Sequence, residues 1–135
     1  MTPRPTNTPS QRKKCATCKQ TFPVDCFRSN GLDTKGRQRI RGSCKVCDDV
    51  RRKLARDEGR AWLLDHKKNL SCTSCGMKDH RVIEFHHTDP SNKTATVARL
   101  LSRGKGSERI KREVNKCIPL CANCHRIFHY EEKRR

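Results

Sequence analysis

Residues 117 to 130 read CIPLCANCHRIFHY, and their reading decides the fold. Cys121 and Cys124 form a Cys-x-x-Cys pair. His125 and His129 follow four residues apart, on one face of a helix that begins at the second cysteine. Two thiolates fill half of a tetrahedral zinc site, and Cys72 and Cys75 repeat the spacing upstream. A zinc ion clamping the two pairs would close the chain between them into a loop. That loop contains VIEFHHTDP (82 to 90), so closure would also carry His86 and His87 toward His125 and His129.

The chain has 135 residues, 32% apolar and 4% aromatic, too few for a large core. Ten cysteines must therefore contribute. The amino end, MTPRPTNTPSQRKK, is polar and basic with no apolar leader, and no run is apolar enough to span a membrane. Four Cys-x-x-Cys pairs in such a chain read as metal sites in a reducing compartment, which places the expected location in the cytoplasm. The formal charge is +18, with 18 basic and 7 acidic side chains in residues 1 to 70 and 14 and 7 in the rest. Two four-thiolate zinc sites would leave roughly +14, so a polyanion is the expected partner. Few aromatics argue against base stacking on single strands and favour double-stranded or branched DNA held through its backbone.

In chain order, residues 1–13 read as a disordered tail and 14–50 as a zinc module, with knuckles Cys15/Cys18 and Cys44/Cys47 as ligands. Phe22, Val24 and Phe27 offer a small apolar cluster. Arg37, Arg39 and Arg41 alternate, which on a strand puts three guanidiniums on one face. Residues 51–70 read as a basic linker helix, part of a helical pattern from Lys45 to Lys68. Its apolar stripe is Val46, Val50 and Leu54 followed by Trp62 and Leu63, its middle is weakened by Gly59, and Arg51, Arg52 and Arg56 lie on its other face. Residues 71–135 form the last domain. It has a strand over 82–87, short helices near 97–101 and 107–114, a strand over 117–120 and a terminal helix from 124 to about 132. His66 and His80 read as surface residues, Cys26 and Cys117 as small buried hydrophobes, and Phe85, Ile118, Ile127 and Phe128 as a mini-core.

A strand bearing His-His, a loop, a second strand and a histidine-bearing helix is the order of the HNH (ββα-metal, His-Me finger) endonucleases. EFHHTDP (84–90) and PLCANCHRIFH (119–129), with the flanking knuckles, resemble the phage and bacterial members. More loosely, CATCKQTFPVDCF and CKVC resemble zinc modules that precede some phage nucleases. The resemblance implies a small α+β zinc protein: a ββα-metal domain preceded by a treble-clef-like or ribbon zinc module and a basic helix. It implies a metal-dependent DNA hydrolase leaving 5′-phosphate and 3′-hydroxyl ends, acting in the host cytoplasm if phage-encoded. By the same resemblance His87 is the general base, and His86 and His125 hold a catalytic Mg²⁺ or Mn²⁺. His129 is a further ligand or a phosphate contact. Two structural zinc ions sit on the eight knuckle cysteines, and Arg126 joins the other arginines on DNA. The family's base-orienting asparagine falls here on Lys116, with Asn115 one residue early. Either a bulge restores Asn115 or the base is held by backbone alone. The alternative function is a non-catalytic zinc-finger DNA-binding or regulatory protein on a degenerate scaffold of this kind.

Overall fold

The structure, a computed structural model that describes residues 11–134, divides into two units between Arg51 and Arg52. In the first, β1 (Arg12–Lys14) pairs antiparallel with β2 (Thr21–Pro23). Between them the chain folds back on Cys15, whose carbonyl accepts the Lys19 amide, with Lys19 at φ 64°. A 3-10 turn at Val24–Cys26 leads into β3 (Phe27–Leu32), which forms a hairpin with β4 (Gln38–Cys44). The Asp33 carboxylate accepts the amides of Lys35 and Arg37 and so shapes the turn. Helix α1 (Lys45–Lys68) starts directly after Cys44 and continues into the second unit. The buried apolar core of the first unit is only Cys15, Phe27 and Cys44, with Phe22, Cys26, Ile40 and Cys47 against it. Two of those three buried residues are cysteines, so a cross-link through sulfur has to supply what side-chain burial does not.

The second unit holds β5 (Ile83–His87) and β6 (Cys117–Cys121), paired antiparallel in unbroken register from Ile83↔Cys121 to His87↔Cys117. Ahead of β5 the knuckle at Cys72 turns through Gly76, whose φ of 75° suits a residue without a Cβ. Between the strands lie α2 (Val97–Ser102), capped by the Thr96 hydroxyl, and α3 (Ser107–Val114). Helix α4 (Ala122–Glu132) follows β6 at once, with Cys121 Sγ accepting the Cys124 amide as its N-cap. One buried cluster joins Cys72, Ile83, Leu120 and Cys121. The other joins Val97, Leu100, Ile110 and Val114, with Trp62, Leu63 and Phe85 packed on it. Together these make a small α+β protein of short antiparallel sheets and helices.

Several expectations change. The expected tail of 1–13 does not extend over Arg12 and Lys13, which belong to a paired strand; the rest of that expectation, residues 1–10, lies outside the described residues. Helix α1 has the expected limits but not the expected buried stripe: Val46, Val50 and Leu54 are 73%, 55% and 63% exposed. The helix docks through Gly59, Trp62 and Leu63, and Gly59 lies about two and a half turns beyond Val50, on the opposite side. Gly59 is buried, and a Cβ there would stand 2.7 Å from Ile110 Cδ1, so this glycine is a point of close approach rather than a weak spot. Ile127 and Phe128 are exposed. His66 is half-buried, stacked on Trp62 at 4.8 Å between ring centroids. Cys26 and Cys117 are half-buried rather than fully buried. Helix α4 begins two residues earlier than expected, because the cap is Cys121 rather than a later residue.

Candidate metal and histidine site

The eight knuckle cysteines gather into two quartets. Cys15, Cys18, Cys44 and Cys47 form one, Cys72, Cys75, Cys121 and Cys124 the other, and the sulfurs of each lie within 4.8 Å of one another. Both are positioned to bind zinc. In the first, the Cys44 amide donates to Cys15 Sγ and draws that thiol down to about 6, while its thiol neighbours, Cys44 first, push Cys47 up to about 12. In the second, burial raises Cys72, but the amides of Cys121, Cys75 and Ser74 outweigh it and bring the thiol to about 6. Ser74 favours the Cys124 thiolate, yet Cys121 and Cys75 push it to about 12. Four thiols crowded together cannot all ionise alone, and a dication removes that conflict.

A third cluster contains only histidines. His86 on β5 faces His125 on the first turn and His129 on the last turn of α4, with ring centroids 4.6 to 5.2 Å apart. His125 Nδ1 bonds to Glu84 Oε2, and His129 Nδ1 to Glu132 Oε2 at 3.1 Å. Ionised carboxylates only accept, so both Nδ1 atoms carry protons and both Nε2 atoms are turned toward each other. Those two Nε2 atoms stand 3.0 Å apart. At that distance one ring can donate an Nε2–H to the other, or a cation held by both nitrogens can take the place of that proton, and a carboxylate on the far nitrogen is how metal-binding histidines are oriented. His86, 5% exposed, is held below its ordinary pKa by burial first and then by the neighbouring histidines, which keeps it neutral and able to donate a lone pair. The three histidines are thus grouped as a set that could hold a metal ion, with His129 beside His86 and His125.

His87 does not join this cluster. Alternation along β5 turns it to the other face, where its Nε2 meets Glu113 Oε1 at 2.8 Å. Both faces nevertheless open on one cavity of about 650 Å³, lined by His86, His87, His125 and His129 together with Lys67 and Lys93. The strands carry no bulge, and Asn115 caps α3. Neither expected arrangement for holding His87 is present: a carboxylate from α3 holds it instead. Glu113 escaped the sequence reading although Ile110, Glu113 and Val114 share the helical spacing of a buried face. Glu84 and Glu132 were missed for want of any motif.

The arginines divide. Arg37 pairs with Asp33, and Arg41 and Arg51 pair with the buried Asp48, so the three guanidiniums expected on one strand face do not stand together. Arg37 precedes β4 altogether. Arg39 and Arg126 are exposed and carry no side-chain partner among the described residues, Arg56 is half-buried, and Arg52 has interactions of its own. None of the described helices is long and apolar enough to cross a membrane.

Fold and site define a small α+β protein with two tetracysteine clusters positioned for zinc and a separate trihistidine cluster. Compared with protein-family models, with curated proteins and with solved structures, the chain matches none.

Proposed function

We propose that the protein is a metal-dependent endonuclease of the HNH type that hydrolyses DNA phosphodiesters to 5′-phosphate and 3′-hydroxyl ends. The observation that carries this reading is the strand-borne His86 facing helix-borne His125 and His129, with His87 on the same cavity. His86, His125 and His129 would hold the catalytic divalent ion, an all-imidazole set suiting Mn²⁺ better than the oxygen-preferring Mg²⁺. That ion, when bound, offers charge stabilisation to a phosphoryl oxygen and to the leaving 3′ oxygen. His87 accepts a proton from the attacking water, a role imidazole fills near neutral pH. Lys67 and Lys93 at the cavity and the exposed Arg39 and Arg126 draw in the DNA backbone. In the first unit the second ligand pair straddles the start of a helix after a hairpin, which favours the treble-clef-like form of zinc module over a ribbon.

The test is plasmid cleavage with added Mg²⁺ or Mn²⁺ and a chelator control. His87→Ala should keep both zinc ions and DNA binding while cleavage falls by roughly 10²-fold or more. His125→Ala should lose cleavage together with affinity for the activating ion. A folded His87→Ala that cuts as fast as the parent refutes the role of His87. A parent that never cuts, whichever divalent ion is added, leaves the non-catalytic DNA-binding reading in its place.

A further inference from the structure

On the face of β5 away from the trihistidine cluster, Glu113 is 3% exposed and fully engaged. Its Oε1 accepts from His87 Nε2 at 2.8 Å and from the amides of Thr94 at 2.9 Å and Ala95 at 3.3 Å; its Oε2 accepts from Lys116 Nζ at 3.0 Å. Lys116 Nζ donates also to the Asn92 carbonyl at 3.0 Å and to Thr94 Oγ1 at 3.1 Å, so each of its three protons has an acceptor. The carboxylate thus ties α3, the 92–95 loop and the strand histidine into one node. Burial alone would raise Glu113, but Lys116, His87 and the two amides outweigh it and hold the carboxyl down at about 2. It is an anion at any working pH, and an anion only accepts.

We infer that Glu113 is the positioning residue of the proposed base: clamped by Lys116, it accepts the hydrogen bond from His87 Nε2–H and so assigns Nδ1 as the atom that receives the proton from water. This rests on the nuclease reading for its consequence but not for its geometry. Nδ1 has no partner among the described residues, and His87 lines the cavity. A neutral imidazole has one protonated nitrogen and one lone pair, so fixing the first fixes the second. When Nδ1 gains the water proton, the imidazolium that results keeps its Nε2 proton on a carboxylate, which stabilises the charge without moving a second proton. Lys116, at the position where a neutral amide was expected, thereby acts through a carboxylate.

The experiment uses the full zinc-loaded chain, histidine-labelled with ¹⁵N, without added Mg²⁺ or Mn²⁺. His87 is assigned by the resonances lost in His87→Ala. The expected result is a single tautomer with the proton on Nε2 and an unprotonated Nδ1. In Glu113→Gln, and in the charge-balanced Glu113→Gln/Lys116→Met pair should the single variant not fold, His87 should pass to a mixture of tautomers. In plasmid assays kcat should then fall at least about tenfold with KM little changed, because orientation rather than DNA affinity is lost. A parent His87 protonated on Nδ1, or a tautomer unchanged in the folded variants, overturns the assignment. Since the spectra need no turnover, a protein that never cuts DNA refutes the nuclease reading alone, and the tautomer still decides the role of Glu113.

Discussion

Gly59→Ala should destabilise the second unit, against the direction that helix propensity alone dictates. In an exposed helix interior, alanine is better than glycine by about 1 kcal/mol. Here the added Cβ would meet Ile110 Cδ1 at 2.7 Å and Leu101 Cδ1 at 3.1 Å. The first of these belongs to a side chain 1% exposed inside the cluster of Val97, Leu100 and Val114, with little room to retreat. Overpacking of that kind costs about 1 to 3 kcal/mol, so the net change is a loss of up to about 2 kcal/mol. Trp62, the single tryptophan, packs on the same cluster, so its fluorescence follows this unit during denaturation at fixed excess zinc. Ile110→Val removes the offending methyl. It should cost about 1 kcal/mol in the parent and close to nothing in the Gly59→Ala background, a coupling of about 1 kcal/mol. Stabilisation by Gly59→Ala, with additive effects in the double variant, would refute the packing argument.

Elemental analysis of protein purified without chelator should find two zinc ions per chain, and a chelator should unfold the first unit, whose buried apolar core is three residues; one zinc or none contradicts the two quartets as metal sites. Alanine at Arg39 or Arg126 should each lower the log–log salt slope of DNA binding by about 0.9, whereas Arg41→Ala, which strips a partner from buried Asp48, should reduce stability more than the slope. Equal slopes for Arg39→Ala, Arg126→Ala and the parent would show that neither side chain meets phosphate.

Much of the second unit was legible because its signals are local. The cysteine pairs, the histidine doublet and the stop at Asp89-Pro90 each constrain a few neighbouring residues, and β5, β6, α2, α3 and α4 fall within two residues of where the pattern puts them. The wet face of α1 was not legible. Val46, Val50 and Leu54 have the spacing of a buried stripe, but burial needs a partner surface, and the side that carries Gly59 found one. A glycine in a helix signals low propensity equally whether it is exposed or pressed against an isoleucine, so only the packing tells the two apart. Glu113 was hidden for a related reason. Its spacing from Ile110 marks a buried face, yet a buried carboxylate makes sense only once His87, Lys116 and the 94–95 amides converge on it from three other segments.

The zinc quartet and the histidine cluster of this unit are not separable, because they share Cys121. That residue pairs with Ile83 to close the sheet register, offers its thiol to the quartet and caps α4. A slip of one residue between β5 and β6 would change which strand residue faces α4, presenting His87 to His125 and His129 and turning His86 toward Glu113. Only the observed register places the buried His86 with the two α4 histidines and the Glu113 carboxylate behind His87, the proposed base. His125 directly follows Cys124, so any rotation of α4 that accompanies loss of zinc moves the histidine pair with it. Under the proposed function a chelator would therefore abolish cleavage by two routes, and a dependence on Mg²⁺ or Mn²⁺ would be attributable to the histidines only when zinc content and Trp62 fluorescence are unchanged through the titration.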